Sequence, residues 1–360
     1  MGQRVTIIAE AGVNHDGSLA RARALVDAAV AAGADIVKFQ TFRADRIATR
    51  KVGKASYQQR TTAAAESQHA MLSRLELDEA AHDDLVAYCG KRGIAFLSTP
   101  FDRPSVDLLV RRFGLGRLKI SSGDLTNGPL LLHAARMGAA IILSTGMSTL
   151  GEVEAALSVL AFGMTAPADA PGGEAAFAAA YASVEGQRIL RNRVTLLHCT
   201  SQYPTPVEAV NLKAMDTLRS AFGLAVGYSD HTLGIAVALA AVARGAGVIE
   251  KHFTLDRTLP GPDHKASLEP DELARMVAGI REIEAALGSS LKAPAACEQE
   301  TRSVARKCLV AAVPIRRGER FTPENVDTKR AEGGVSAMRY WEVLAGVADR
   351  DYAADEPIIL

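Results

Sequence analysis

The sequence is poor in cysteine, in aromatic residues and in net charge, and each shortage excludes something. Four cysteines (Cys89, Cys199, Cys297 and Cys308) stand in 360 residues, with no CxxC or zinc-type spacing. That pattern argues against a disulfide framework and for structural thiols in a reducing, cytosolic setting. Aromatics are 5% of the chain, so the core must be built mainly from Val, Leu, Ile and Ala. Lysine plus arginine and aspartate plus glutamate both number 41, a formal net charge of +0. No broad field attracts nucleic acid or an anionic membrane, so an anionic ligand must be held by a few focused cations. No apolar run approaches the roughly 18 residues of a membrane span; the longest, Ile235–Ala243, is half that. No secretory signal is legible. Met1–Thr6 fits a myristoylation pattern, but a buried strand starting at Val5 would tie that segment to the fold.

What is present is the mix of a globular protein, 48% hydrophobic and 23% charged, long enough to bury a core without crosslinks. Short apolar runs alternate with helical segments, the pattern of a parallel sheet. The runs are Val5–Gly12, Ala34–Phe42, Ala95–Pro100, Arg117–Asp124, Ala140–Met147, Val194–Ser201, Ala225–His231 and Val248–Thr254. Their near-continuous apolar character suits strands covered on both faces. Eight such units in about 290 residues predict an α/β fold of the (β/α)8, or TIM-barrel, type. Ser18 and Asp78 predict helix N-caps, Gly33 and Gly93 the corresponding ends, and Pro270–Leu287 an amphipathic helix stopped by Gly288.

Two insertions break the rhythm. Arg43–Leu77 is long for a βα loop and predicts a lid or a binding loop, and Thr165–Asn192 reads as a surface excursion. The barrel domain is expected over 1–287, a linker over 288–300, and a small second domain of short strands over 301–360, with a turn at Arg316–Glu319.

The strand ends carry the chemistry: Glu10, Lys38 with Gln40, Ser98-Thr99, Lys119 with Ser122 and Asp124, Ser144-Thr145, Thr200-Ser201, Ser229 with His231, and Lys251-His252. Barrel enzymes build their active sites at that rim. Lys38 and Lys119 lie inside apolar strands, where an unpaired ammonium would be costly. With Thr99, Ser122, Ser144 and Ser229 they form a cradle for a phosphate ester bearing a carboxylate. His231 and His252 stand at matching depth on adjacent strands. They are either satisfied rim histidines or an open, hydrated metal site, one better suited to Mn²⁺ than to Mg²⁺. Glu10 and Asp124 are strand-end acids whose burial would raise their pKa; each is a general acid–base candidate or a partner of a lysine. His198 reads as a hydrogen-bonded core residue, and His15 and His264 as weaker site candidates.

In order along the chain, Glu10-Ala-Gly-Val-Asn-His-Asp-Gly17, Lys38-Phe-Gln-Thr-Phe42, Ser98-Thr-Pro-Phe-Asp102, Lys119-Ile-Ser-Ser-Gly-Asp124, Ser144-Thr-Gly-Met147, His198-Cys-Thr-Ser-Gln-Tyr-Pro-Thr-Pro206, Gly227-Tyr-Ser-Asp-His-Thr-Leu233, Glu250-Lys-His-Phe-Thr254 and Gly261-Pro-Asp263 resemble the sialic acid synthase family. Ala311–Glu319 and Lys329-Arg330 resemble its C-terminal antifreeze-like (SAF) domain. The resemblance implies a metal-dependent condensation of phosphoenolpyruvate with an acetamido sugar aldehyde, giving a nonulosonic acid and phosphate. It implies phosphoenolpyruvate binding by Lys38, Thr99, Lys119, Ser122, Ser144, Ser201 and Ser229, and metal binding by His231 and His252, with Mn²⁺ favoured over Mg²⁺ or Co²⁺. Glu10 and Asp124 are then the catalytic carboxylates, for proton handling or for stabilising a C2 cation. Gln40, Tyr203 and Asp263 would contact the sugar. Arg330 would reach it from the partner subunit of a domain-swapped homodimer.

Within this family, Asp124 stands in place of a Glu, Ser201 in place of an Asn and Ala331 in place of a Pro. Gly123–Leu131, Tyr57–Arg60 with Glu66–Gln68, and Glu185–Gln187 resemble the N,N′-diacetyllegionaminate synthase branch. Its acceptor is a 2,4-diacetamido-2,4,6-trideoxy-mannose; N-acetylneuraminate and pseudaminate synthesis are the alternatives. The competing classes are a Schiff-base aldolase or lyase using Lys38 or Lys119, and a non-catalytic sugar- or anion-binding protein.

Overall fold

The computed structural model describes residues 4–54 and 66–360, so Gly2 of the myristoylation pattern and the Tyr57–Arg60 motif lie outside the described residues. The chain forms two compact units, residues 1–288 and 289–360.

Eight parallel strands make the first unit: β1 (Thr6–Gly12), β2 (Ile36–Thr41), β3 (Ala95–Pro100), β4 (Arg117–Ile120), β5 (Ala140–Ser144), β6 (Val194–His198), β7 (Ala225–Asp230) and β8 (Val248–His252). The hydrogen-bonded order is β3-β2-β1-β8-β7-β6-β5-β4. β3 and β4 are neighbours in space but share no ladder, so the barrel is closed except for one seam. Several expected runs extend a few residues past these strands, because their polar tips belong to the βα loops.

The helices begin and end where local chemistry dictates. The Ser18 side chain accepts from Arg21 N at 3.3 Å and starts Leu19–Ala31. Asp78 caps Glu79–Arg92 through Ala81 N at 2.8 Å, and Gly93, at φ 73°, takes the left-handed turn that ends it. Pro270–Leu287 runs to Gly288. The stretch after Thr165 differs from the expected surface excursion. It folds into helices Glu174–Ala182 and Val184–Arg193, because the alanine-rich EAAFAAAYA run has strong helix propensity. Phe177 then packs on Phe162, with ring centroids 5.2 Å apart. In the other insertion the described residues form helices Ala44–Ile47 and Gln68–Leu75.

Inside the barrel, side chains alternate inward and outward along each strand. Ile8, Ile36, Leu97, Ile142, Leu197 and Val248 form a dry floor. β7 contributes Gly227 beside it, where a Cβ would lie 2.7 Å from Leu197 Cδ2 and 2.8 Å from Val248 Cβ.

The second unit pairs Lys307–Ala311 with Val326–Arg330 in an antiparallel ribbon. Leu309, Ile315, Phe321, Val326, Tyr352 and Ile358 lie in its core. Glu319 N donates to Arg316 O at 3.0 Å, making the expected turn. A helix, Gln299–Ala305, precedes the ribbon. All four cysteines are free thiols. Among the described residues no helix is long and apolar enough to cross a membrane.

Candidate active site

Two residues beyond the floor, the same strand faces turn polar. Ile8 leads to Glu10, Ile36 to Lys38, Leu97 to Thr99, Ile142 to Ser144, Leu197 to Cys199 and Val248 to Glu250. With Lys119 and Ser229 these residues line one cavity of about 470 Å³ at the C-terminal end of the barrel. Lys38 and Lys119 are each 3% exposed, so neither ammonium could persist there without partners.

Those partners are carboxylates. Lys38 Nζ lies 2.7 Å from Glu10 Oε2 and 3.6 Å from Glu250 Oε2, and donates to Thr99 Oγ1 at 3.1 Å. Lys119 Nζ lies 3.5 Å from Glu250 Oε1 and donates to the Ile120 carbonyl at 3.3 Å. Ser229 Oγ donates to Glu250 Oε1 at 2.8 Å. Burial pushes Glu10 up to about 7, against Lys38 and with help from the charge on Glu250. Burial acts the same way on Glu250, but Lys119, Lys38 and the Ser229 hydroxyl outweigh it and hold that carboxyl below the usual range. Lys38 is likewise lowered by burial but carried above the lysine range by Glu10 and Glu250. Whenever Glu10 holds its proton, two ammoniums face one carboxylate, and the layer is ready to receive an anion.

The next layer is the rim: Gln40, Ser122, Ser201, Tyr203, His231, His252 and Asp263 all line the cavity. The imidazoles of His231 and His252 have centroids 5.5 Å apart, with the Tyr203 ring 4.1 Å from the first and 5.5 Å from the second. His231 Nδ1 is 2.7 Å from the Thr200 carbonyl, which can only accept, so its Nε2 keeps the lone pair. Burial lowers His231 to about 4 and His252 well below the ordinary range. Both rings are therefore neutral, as metal ligands must be. His252 Nδ1 is buried without a hydrogen-bond partner, and Asp263 Oδ2 stands 3.8 Å from it. Among the described residues no three His, Cys, Asp or Glu side chains form a ligand group. The donor set fits a divalent ion held by two imidazoles and otherwise by oxygens of water or substrate.

Two glycines keep this region open. Gly12, at φ +53°, sits where the β1–β2 register shifts, and a Cβ there would lie 3.2 Å from Glu10 Oε1 and 3.5 Å from His252 Cε1. At Gly146 a Cβ would lie 2.5 Å from Ser201 Oγ and 2.9 Å from both Cys199 Sγ and Ser122 Oγ. Gly146 N donates to Ser122 Oγ at 3.0 Å, and Ser144 Oγ is buried without a partner.

Of the residues expected at the site, Glu10, Lys38, Gln40, Thr99, Lys119, Ser122, Ser144, Ser201, Tyr203, Ser229, His231, His252 and Asp263 share this cavity. Asp124 is placed differently. Its carboxylate receives the Ser121 hydroxyl at 2.9 Å and the Asn127 amide at 3.0 Å, while Ser121, Ser122 and Gly123 line the cavity. Arg330 belongs to the second unit, where it pairs with Lys307 in the ribbon. Lys251, read as a rim tip, points the other way. It is fully buried on Asp230, 2.8 Å away, and on the Thr232 carbonyl. The inward residue of that strand is Glu250, which the sequence reading missed. The period-two alternation Val248, Glu250, His252 was its signal. His198 Nε2 donates to the Val210 carbonyl at 2.7 Å, the hydrogen-bonded role expected of it.

The loop that carries Asp263 is pinned from the β1 side. Asn14 Nδ2 donates to the Phe253 carbonyl at 2.8 Å and to Ser267 Oγ at 2.9 Å, and Ser267 Oγ donates to the Asp263 carbonyl at 2.7 Å.

The sequence matches the NeuB family over residues 25–292 and the SAF domain over residues 306–359. It is 49% identical to N,N′-diacetyllegionaminic acid synthase of Campylobacter jejuni, with 99% of each chain covered. It is 43% identical to the enzyme of that name from Legionella pneumophila, covering 98% of this chain and 93% of that one. Among solved structures, N-acetylneuraminic acid synthetase from Leptospira borgpetersenii superposes with a TM-score of 0.66 at 34% identity, over 83% of this chain and 90% of the other.

Proposed function

The chain belongs to the NeuB family, and from that membership we propose that it condenses phosphoenolpyruvate with 2,4-diacetamido-2,4,6-trideoxy-mannose to give N,N′-diacetyllegionaminate and phosphate. The observation that carries this reading is vertical. Two buried lysines tied to carboxylates lie one layer below two neutral imidazoles in a single cavity. The lower layer suits a small phosphorylated carboxylate, and the upper one suits an aldehyde oxygen.

Lys38 and Lys119 hold the phosphate and carboxylate, with Thr99, Ser122, Ser144, Ser201 and Ser229 donating hydrogen bonds. So held, C3 of the enol faces the acceptor aldehyde at the rim. The C3–C1 bond forms as the aldehyde C=O electrons move to oxygen, and the enol carbon C2 becomes cationic. Glu10, which holds its proton when the anion is bound and whose raised pKa suits exchange near neutrality, gives that proton to the new alkoxide. Water then adds to C2, and the proton it sheds restores Glu10. The C2–OH proton leaves with phosphate as the C2–O bond breaks, so the hydrogens of one water end on sugar and phosphate. A divalent ion, Mn²⁺ by preference, on His231 and His252 would supply Lewis acidity at the aldehyde oxygen. Gln40, Tyr203 and Asp263 orient the acceptor. Asp124 acts by fixing the Ser121–Ser122 turn.

Lys38 is an ammonium locked on Glu10, not the free amine that a Schiff-base aldolase needs. We extend the reading to a cytoplasmic, domain-swapped homodimer in which Arg330 meets the acceptor in trans.

The test is phosphate release. With phosphoenolpyruvate, Mn²⁺ and the diacetamido sugar, phosphate and a nonulosonic acid should appear in equal amounts and chelator should stop both. Borohydride-trappable pyruvate adduct, or ligand binding without turnover, would overturn the reading.

A further inference from the structure

The cavity is polar at its floor end and apolar at its mouth. Along β2 the inward side chains are Lys38, Gln40 and then Phe42. Successive inward positions on a strand are about 6.6 Å apart. If the phosphate end sits at Lys38 and the aldehyde carbon at the imidazole layer, the far carbons of the acceptor reach the level of Phe42. There the lining changes to Ile47, Gln68, Met71, Leu72 and Leu75.

Four of these residues recur at i, i+3, i+4 and i+7, so they form one face of the helix Gln68–Leu75. The face is firmly mounted. The Ser67 side chain caps the helix through Ala70 N at 3.2 Å, and Arg74 grips Glu66 through two bonds of 2.9 and 3.1 Å. Met71 and Leu75 are 1% and 2% exposed, packed with Val13 and Phe42. This wall offers methyl and methylene groups, the Met71 thioether and a single amide, that of Gln68.

Resting on the function proposed above, we infer that this helix face is the acceptor-selecting wall: it takes the methyl-bearing outer end of a 4-acetamido-6-deoxy sugar. The C6 methyl and the acetyl methyl lose water against Ile47, Met71, Leu72 and Leu75, and Gln68 pairs with the C4 amide. A C6 hydroxyl placed there gives up its hydration and gains no partner. Apolar pockets reject an added hydroxyl by roughly a hundredfold at most, so the wall tunes preference and does not forbid the alternative acceptor.

The experiment compares kcat/KM for three acceptors: the diacetamido trideoxy sugar, 2-acetamido-2,6-dideoxy-mannose and N-acetylmannosamine. The unmodified protein should rank them in that order. Leu72→Gln should cost about tenfold on the first two, through KM with kcat nearly unchanged, and leave N-acetylmannosamine within about twofold. Gln68→Leu should shrink only the preference for the first acceptor over the second. Ile47, 37% exposed, supplies a variant outside the core, Ile47→Gln, which should act like Leu72→Gln should the latter fail to fold. Unchanged acceptor ratios in folded Ile47→Gln and Gln68→Leu would overturn the inference while leaving the function standing. Absence of phosphate release with every acceptor by the unmodified protein would overturn both.

Discussion

Glu250 places Oε1 3.5 Å from Lys119 Nζ and Oε2 3.6 Å from Lys38 Nζ, so one carboxylate spans both buried ammoniums. It fixes their separation before any ligand arrives, which is the preorganisation that an anion cradle needs. It also means that neither lysine can be changed alone without disturbing the other.

Replacing Lys119 by methionine removes one ammonium and leaves Glu250 under-compensated in a dry layer. The expected outcome is a loss in kcat/KM for phosphoenolpyruvate of about a thousandfold. Destabilisation should be about 3 kcal/mol, the size seen when one partner of a buried pair is deleted. Steady-state kinetics and denaturant unfolding check the two effects separately; an unchanged KM and kcat would mean that the cradle is misplaced.

Gly146→Ala adds a methyl group into the cluster of Ser122, Cys199 and Ser201. The substitution should raise the KM for phosphoenolpyruvate at least tenfold by displacing the Ser122 and Ser201 hydroxyls. Its fold should survive, with the circular dichroism spectrum retained. An alanine variant with unaltered KM would show that these hydroxyls do not face the ligand.

Acid should weaken the fold through His15. Burial lowers this histidine to about 4 from an ordinary 6.5, so between those values the unfolded chain binds a proton that the folded one refuses. Stability is therefore full above about pH 6.5, falls as pH drops toward 4, and levels off below it. Carried through linkage, the shift amounts to about 3 kcal/mol. Urea midpoints across that window should slope less in His15→Gln than in the unmodified protein. Parallel slopes would remove His15 as the cause.

Arg330 can be tested by mixing. Lys38→Met and Arg330→Ala proteins, each inactive alone, should recover about a quarter of full activity when their subunits exchange freely. No recovery despite demonstrated exchange would place the arginine outside the partner's cavity.

Much of this architecture could be read from the chain because local and global signals agree. Ser18, Asp78, Gly93 and Gly288 bound their helices where expected, and the apolar runs became the barrel strands. The site was legible wherever a polar residue interrupts an apolar strand, as at Lys38 and Lys119. It was less legible where tips were read without their alternation. Lys251 drew attention as a charge beside His252, yet one residue of offset turns it away from the cavity and turns Glu250 in. Asp124 lies just past its strand, where a turn reorients the carboxylate toward Asn127. The EAAFAAAYA helix was hidden by the proline and glycine ahead of it. The selecting face Gln68–Leu75 was hidden in an insertion with no strand to anchor a register.

The unladdered joint between β3 and β4 has a mechanical meaning. Thr99 belongs to one lip of it and Lys119 to the other, and the strand-to-strand hydrogen bonds connect them only the long way around the cylinder. A phosphoryl group gripped from both lips would serve as the absent rung. Occupancy would then stiffen the whole hoop, and the empty protein would be the springier of the two.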